Sequence, residues 1–406
     1  MIAEKPSVAM ALASVLGART RKDGYVEGNG YIVSWCVGHL VGLCDASEYD
    51  EKYKKWRYED LPIVPECWKH KILEGTKKQF GILKKLMRDS KVDEVICATD
   101  AGREGELIFR LVYEQAGCKM PMKRLWISSM EEQAIKDGFS SLKDGSCYDS
   151  LYQSALCRAK ADWLVGINAS RLFSVLYNQN LKVGRVQTPT LAMIVDRNQK
   201  IKEFTKEKYY MAHIKFDDMD AVTEHFQKKE DADKVAAECQ ERMCEVEKDD
   251  VKEKTVRPPK LYDLTTLQRE ANRMFGYTAQ QTLDAVQEMY EQKLVTYPRT
   301  DSQYLTDEMG ESTETLIQML LGKMPYAEGL EYQPDVSKVL NSKKVSDHHA
   351  IIPTMEVAKA DIGKLKERNC KILYLISARV LTATADPYIY ESHKCQITCN
   401  YHTFYL

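Results

Sequence analysis

The chain has 406 residues and a mass of 46.6 kDa, which at about 150 residues per domain gives two to four domains with ample length for real cores. Its 58 Lys and Arg against 60 Asp and Glu leave a net charge of −2 and a pI near 6.5, so no global field draws it onto polyanions and any nucleic-acid site must be a local patch. A hydrophobic content of 44%, a charged content of 29% and a mean hydropathy of −0.44 describe a soluble globular protein. No apolar run of about 18 residues could span a bilayer. The opening Met-Ile-Ala-Glu-Lys-Pro lacks the basic and apolar regions of a secretory signal, which points to the cytoplasm. The 12 cysteines are too sparse for a disulfide scaffold and show no paired CxxC spacing for zinc. The closest two, Cys395 and Cys399, fall in an alternating stretch that reads as strand, with buried reduced thiols. A GxxxxGKS/T loop does not occur, which disfavours an ATP-driven motor of the P-loop kind.

In chain order, residues 1–120 alternate strand and helix in the manner of a parallel sheet. Residues 1–3 are a stub of strand. Ser7 can cap a helix whose apolar face is Val8, Leu12, Val15 and Leu16 and whose stop is Gly17. Residues 95–98 are a short apolar strand ending in Thr99 and Asp100, followed by a helix with Leu107, Ile108, Leu111 and Val112 on one face and Gly117 at its end. In such sheets the ligand site lies where strand carboxyl ends meet helix amino ends, and two segments put acids at that edge: Glu4 with Lys5, and Asp100 with Glu104.

Residues 149–202 turn helical. Between 158 and 202 eight basic residues face two acidic ones, the basic patch that the whole-chain charge conceals. Residues 209–216 alternate as a strand, and 224–246 read as a charged helix. Pro258 and Pro259 mark a joint. Residues 264–275 and 278–292 are two helices around Gly276 and Tyr277, with Thr278 capping the second, followed by a strand over 294–297. That pattern suits a winged-helix unit or an ordinary helical hairpin. Residues 388–398 return to strand alternation.

Four segments carry chemistry. In Thr99-Asp100-Ala101-Gly102-Arg103-Glu104-Gly105-Glu106, two carboxylates at a strand-to-helix junction, with Glu4 from the first strand end, suit a hard cation that keeps several waters and bridges to phosphate, namely magnesium. The alternative is that Glu104 and Glu106 only complement the helix dipole. In Val295-Thr296-Tyr297-Pro298-Arg299-Thr300-Asp301-Ser302, a tyrosine beside a fixed guanidinium can be a nucleophile toward phosphorus, or a packing residue. Ser346-Asp347-His348-His349-Ala350-Ile351-Ile352-Pro353-Thr354 offers a histidine for a scissile phosphate, and Gly184-Arg185-Val186-Gln187-Thr188-Pro189-Thr190 lies in the basic stretch.

Together with the AEKPS opening, these segments resemble the type IA DNA topoisomerases, most closely the bacterial topoisomerase III branch, over essentially the whole chain and in family order. The resemblance implies a multidomain α/β ring: a Toprim domain at 1–148, a helical base at 149–202, a β-rich arch split between 203–256 and 386–406, and a winged-helix-like domain at 257–385 carrying the catalytic tyrosine. It implies that Tyr297 attacks single-stranded DNA to form a 5′-phosphotyrosyl link, that Arg299 steadies the phosphate, that Glu4 protonates the leaving 3′ oxygen, that Lys5 steadies the transition state, and that His348 contacts the scissile phosphate. Magnesium would be held by Asp100 and Glu104 with Glu4, and the single strand by Arg158, Arg185, Gln187 and Thr188. A monomer working with a helicase or single-strand-binding protein on the bacterial nucleoid is the expected setting.

Two departures from the family pattern stand out. The acidic motif usually reads Asp-x-Asp-x-Glu, and Gly102 occupies its middle position, so either metal affinity is weaker or Glu106 or Glu4 supplies the charge. Family chains also continue past the point where this sequence stops, and the first strand looks clipped by a few residues. Hence the competing expectations: a truncated DNA-binding remnant without catalysis, or another Toprim nuclease or primase, which would leave 257–354 without a role.

Overall fold

The computed structural model describes every residue except 129, 217, 346 and 347, so Ser346 and Asp347 of the histidine segment lie outside the described residues. The chain divides into two compact units, one of residues 1–190 and 259–385, the other of residues 191–258 and 386–406.

In the first unit, β1 (Ile2–Ala3) runs into α1 (Pro6–Leu16). The helix begins at Pro6, whose fixed φ and missing N–H suit a first turn, so Lys5 rather than Ser7 occupies the cap position. Gly17, at φ +78°, ends it in the left-handed conformation. A meander follows of β2 (Thr20–Lys22), β3 (Tyr25–Gly28) and β4 (Tyr31–Trp35). After it, β5 (Val41–Leu43) and β6 (His70–Ile72) form a separate two-stranded ladder. Then come α2 (Lys77–Leu86), β7 (Val95–Ala98), α3 (Arg103–Ala116), β8 (Met122–Arg124), α4 (Glu132–Ser140) and β9 (Lys143–Asp144). The sheet order is β2-β3-β4-β1-β7-β8-β9, parallel from β4 through β8 and antiparallel at both edges.

Both faces of the central strands are covered, which is why β7 is a continuous apolar run. Its alternate residues go to different cores. Ile96 and Ala98 join Leu12, Val33 and Leu125, while Val95 and Cys97 join Phe80, Leu83, Leu107 and Leu111. The first of these cores continues without a break into Leu267, Val286, Val295 and Ile372, so the strand-helix layer and residues 259–385 fold as one body. The long helix α5 (Asp149–Tyr177) packs on α3 and contributes Tyr152, Ala155 and Leu156 to the second core.

The division between units falls within α6 (Gln187–Lys202). The second unit holds β10 (His213–Phe216), β11 (Met219–Val222), α7 (Lys229–Cys239) and β12 (Glu245–Val256). The charged segment read as helix over 224–246 is therefore helical only in its middle, and Val246 belongs to a strand.

The chain returns to the first unit as α8 (Leu264–Phe275), α9 (Ala279–Glu291), α10 (Gly310–Lys323) and α11 (Glu367–Ala383). Gly276, at φ +69°, ends α8, and Thr278 with Gln281 forms a capping box at the start of α9. The strand expected at 294–297 is reduced to one isolated bridge, Val295 to Pro353. Thr296 donates to Ile352 and Thr354 to Leu294, but the reciprocal donors go elsewhere, the Ile352 N–H to Thr296 Oγ1 and the Leu294 N–H to the Met289 carbonyl.

In the second unit β13 (Tyr388–Cys399) pairs with β12, and β14 (His402–Tyr405) completes an antiparallel sheet of order β10-β11-β14-β13-β12 around Ala221, Val235, Ile397 and Phe404. All 12 cysteines are free; Cys399 is buried as expected, whereas Cys395 is only half-buried. No helix among the described residues is long and apolar enough to cross a membrane.

Thr278→Ala removes the side-chain acceptor of the capping box. It should lower the unfolding free energy of the first unit by about 1 kcal/mol, read as a lower denaturant midpoint at unchanged slope; an unchanged midpoint contradicts the cap's role.

Candidate active site

The site follows from strand register. β1 lies between β4 and β7 with Ala3 opposite Ala98 and Trp35, so the residues just past three parallel strand ends emerge together at one edge. From β1 comes Glu4, from β7 Asp100, and from the turn after β4 His39. Their carboxyl ends, with the first turn of α3, line a cavity of about 430 Å³ that also takes Arg158 from α5 and Tyr297, Arg299 and His348 from the later part of the chain.

Tyr297 is buried, 7% exposed. Its N–H donates to the Ser128 carbonyl at 3.2 Å, and its hydroxyl donates to Asp100 Oδ2 at 3.0 Å. The Asp100 N–H in turn donates to Glu4 Oε2 at 3.4 Å. Burial, and then the Asp100 carboxylate, push the phenol well above its ordinary pKa, while the Arg299 guanidinium bonded beside it pulls the other way. Burial, and then the same Asp100 charge, raise Glu4 to about 7. Asp100 is itself raised by burial, opposed by the Tyr297 hydrogen bond and the charges of Lys5 and Arg299.

His348 is buried with both ring nitrogens engaged: Nε2 bonds the Ala101 carbonyl and Nδ1 lies 3.1 Å from Ser128 Oγ. A carbonyl only accepts, so Nε2 carries the proton and Nδ1 accepts from the serine. The ring packs 4.3 Å from that of Tyr297. Burial lowers its pKa to about 4, so it is neutral at pH 7. In this arrangement the imidazole braces the tyrosine and holds its one N–H on the protein.

The remaining expected residues are distributed unevenly. Glu104 lines the cavity but is drawn aside, 3.7 Å from His39 and 3.7 Å from Arg158, and the His39 bond holds its carboxyl below the usual range. Lys5 does not line the cavity; its Nζ lies 3.6 Å from Glu291. Arg158 reaches Asp162 at 4.0 Å, and Arg185 forms a two-pronged pair with the same carboxylate at 2.6 and 3.2 Å. Arg185, Gln187 and Thr188 lie outside the cavity. Thr188 Oγ1 accepts from the Gly184 N–H at 3.1 Å, fixing the turn into α6.

Glu106, one of the alternatives for the missing charge at Gly102, is excluded. It is buried between Arg110 and Arg124, with Arg110 Nε 2.8 Å and Arg124 Nε 3.1 Å away. Arg124 is the larger surprise, for it is fully buried and donates to the carbonyls of Cys97, Thr99, Leu125 and Asp100. It ties down the strand end that presents Asp100. Arg124 carried no sequence signal, standing at the end of the Met-Lys-Arg strand β8; for His39 the signal was position, just beyond a third parallel strand end.

The acids at the cavity suit a hard divalent cation in kind, being carboxylate oxygens with open space beside them. Glu4 and Asp100 are two crowded acids whose raised pKa values a cation would relieve. As built, however, no three His, Cys, Asp or Glu side chains among the described residues stand at ligand spacing, so Glu104 has to leave His39 and Arg158 to join the other two. Gly102 is extended, and a Cβ there meets nothing within 4 Å, whereas a Cβ on Gly105 would lie 2.0 Å from the Asp100 carbonyl oxygen.

Gly105→Ala should therefore displace the Asp100 loop and destabilise the fold, while Gly102→Ala leaves both intact; equal thermal stabilities would refute the distinction. Because the unfolded histidine titrates near 6.5 and the folded one near 4, His348 contributes stability that is complete above pH 6.5 and lost on acidification toward 4. The stability gap between the native chain and His348→Asn should narrow by up to about 3 kcal/mol over that window. A constant gap would contradict the burial of a neutral ring.

A model of the DNA topoisomerase family matches residues 146–406, and a Toprim domain model matches residues 1–130, which sets aside a Toprim nuclease or primase. The chain is 43% identical to DNA topoisomerase 3 of Shouchella clausii over 98% of its own length and 56% of the relative's, and 43% identical to that of Bacillus cereus over 100% and 57%. The Staphylococcus epidermidis enzyme is 42% identical over 96% and 56%. The chain thus spans a little over half the length of these curated relatives. The structure of full-length topoisomerase I from Thermotoga maritima superposes with a TM-score of 0.73 at 25% identity, covering 100% of this chain and 64% of that one. By family model, relatives and fold alike, the chain belongs to the type IA DNA topoisomerases.

Proposed function

We propose that this chain carries the strand-cutting centre of a topoisomerase that cleaves and rejoins single-stranded DNA. Tyr297 Oη attacks a backbone phosphorus, the bond from phosphorus to the 3′ oxygen breaks, and the protein is left joined to the 5′ phosphate beside a free 3′ hydroxyl. A second strand passes, and the 3′ hydroxyl attacks the phosphotyrosine to restore the chain. One phosphodiester is exchanged for another, so the cycle needs no nucleotide hydrolysis. The observation that carries this reading is the hydrogen bond from Tyr297 to Asp100 at the floor of a cavity shared with Glu4 and Arg299.

Each proton has a place to go. The phenol's hydrogen already rests on the Asp100 carboxylate, its acceptor when the oxygen attacks. Glu4, raised to about 7, retains a proton near neutral pH and is the acid that delivers it to the departing 3′ oxygen, taking it back on rejoining. Arg299 steadies the charge that grows on the phosphate. Lys5 acts from a distance, its charge favouring the ionised forms of Glu4 and Asp100. For His348 to touch the scissile phosphate it must release Ala101 or Ser128. Magnesium held by Glu4, Asp100 and Glu104 would supply positive charge near the phosphate.

Arg158, Arg185, Gln187 and Thr188 are assigned to the backbone of the single strand. The same reading takes 1–148 as the Toprim domain, 149–202 as the helical base, 203–256 with 386–406 as the arch, and 257–385 as the tyrosine-bearing domain. It also takes the protein as a monomer acting on the nucleoid beside a helicase or single-strand-binding protein.

Tyr297→Phe should abolish covalent capture of labelled single-stranded DNA while leaving its binding within about twofold, since one oxygen is lost from a ring that stays packed on His348. Covalent product from that variant would overturn the assignment. Glu4→Gln, which keeps the shape but holds no transferable proton, should slow capture by about 10²–10⁴ at unchanged DNA affinity; an unaltered rate would remove Glu4 from the proton path.

A further inference from the structure

Helix α2 carries a concentration of positive charge that none of the roles above uses. Between residues 77 and 91 six basic residues face one acid. Lys77 and Lys78 stand four and three positions before Gly81, and Lys84 and Lys85 three and four positions after it. Residues three and four apart are neighbours on a helix surface, so these four side chains ring the glycine. The opposite side of α2 is anchored. Phe80, Leu83 and Met87 are buried in the second core, and Gln79 Nε2 donates to the Gly24 and Trp35 carbonyls at 3.2 and 2.8 Å. That anchoring turns the lysine ring outward: Lys77, Lys78 and Lys85 are exposed and Lys84 is half-buried. None of the four lines the active-site cavity.

Three local choices in α2 work against the helix that holds them. Gly81 sits in mid-helix, where alanine is favoured, and the fold has no use for its missing side chain, since a Cβ there meets nothing within 4 Å. Lys77 and Lys78 occupy the first turn, where the helix dipole disfavours cations and no acid stands to offset them. Thr76, at the cap position, turns its hydroxyl to the Leu40 and Leu73 carbonyls rather than to the free N–H groups of the helix. The charges also lack partners. Lys78 meets Asp23 at 3.0 Å, but among the described residues Lys77, Lys84 and Lys85 have no ion pair. An anion lying against Gly81 answers these together: it neutralises the lysines, offsets the cations of the first turn, and comes close to the backbone where a side chain would have stood. Local rules broken in one place with no gain inside the fold are the mark of a functional surface.

The spacing and the composition of the ring select the anion. The Lys77–Lys78 and Lys84–Lys85 pairs are seven residues apart, about 10 Å along the axis, so they engage separate negative groups. The single aromatic residue of α2, Phe80, is buried, which leaves no ring on which an unpaired base could stack. Charge without a stacking surface suits paired DNA, whose bases are turned inward and whose backbone carries one charge per about 1.7 Å of axis. We propose that α2 is a docking surface for the backbone of double-stranded DNA, separate from the single-strand centre at Tyr297, with Lys77, Lys78, Lys84 and Lys85 on phosphates and Gly81 allowing the close approach. This goes beyond the strand-cutting reading, because it gives the protein a sequence-independent grip on paired DNA beside the strand that it cuts.

The test is fluorescence anisotropy of a blunt, fully paired DNA duplex titrated with the full chain over a range of salt concentrations, with covalent capture of a single-stranded oligonucleotide run alongside. The double variant Lys84→Gln, Lys85→Gln should weaken duplex binding by about tenfold and reduce its log–log salt slope by about 1.8, the value of two phosphate contacts. Gly81→Ala should raise the thermal midpoint, as helix propensity requires, and yet weaken duplex binding by about threefold. Those opposite signs are not what a merely solvated helix face produces. Single-strand capture should be unchanged in both variants. The proposal is overturned if the native chain does not bind the duplex, or if the double variant binds it as the native chain does. Equal losses for duplex and single strand would assign the lysines to the cut strand and overturn it as well. Native chain that binds the duplex through these residues but forms no covalent adduct would support this surface while contradicting the strand-cutting reading.

Discussion

The site depends on the parallel register that sets Ala3 beside Ala98. Once those two residues are neighbours, Glu4, one position on, and Asp100, two positions on, come to the same small volume, and Tyr297 closes over them. Crowding two carboxyls in a buried place is unfavourable. The molecule offsets it with a phenol donor on Asp100, a backbone N–H on Glu4 and the nearby charges of Arg299 and Lys5. What remains uncompensated appears as the raised pKa of Glu4, and that residue of strain is the property a proton donor needs near neutral pH.

Holding this arrangement takes a second, wholly internal network. Arg124 gathers four carbonyls around the end of β7 and pairs with Glu106, which Arg110 anchors from the next turn of α3; Arg110 in turn reaches Gly145 and Asp149 at the start of α5. A buried charge so thoroughly bonded adds little net stability by itself, but removing one member would strand the others without solvent. The network thereby fixes the Asp100 loop relative to α5, the helix that carries Arg158.

Much of this was legible in the sequence, and the parts that were not share a cause. Strand and helix period revealed β7, α1, α3 and α8, and Gly17, Gly117 and Gly276 marked the ends of the three helices because a positive φ is needed there. The motif residues Glu4, Asp100, Glu104, Tyr297, Arg299 and His348 do converge on one cavity. Sequence could not say what each side chain faces. Glu106 stands two positions from Glu104, yet a rotation of about 200° around the helix turns it to the core. Lys5 and Arg185 each find a carboxylate elsewhere, and Arg124 looked like any strand residue because its partners are backbone carbonyls, which leave no trace in composition. The expected strand at Tyr297 failed for a local reason, the N–H groups of Ile352 and Leu294 bonding Thr296 Oγ1 and Met289 instead of continuing the ladder.

The most direct test of the account is to find where DNA becomes attached. The chain is incubated with single-stranded DNA and magnesium and quenched with denaturant; after nuclease and protease digestion, the peptides are sequenced by mass spectrometry. The account predicts one modified peptide, with the adduct on Tyr297 and the nucleotide joined through its 5′ phosphate. A link to another residue, a link through a 3′ phosphate, or no adduct from folded protein that binds the DNA would contradict it.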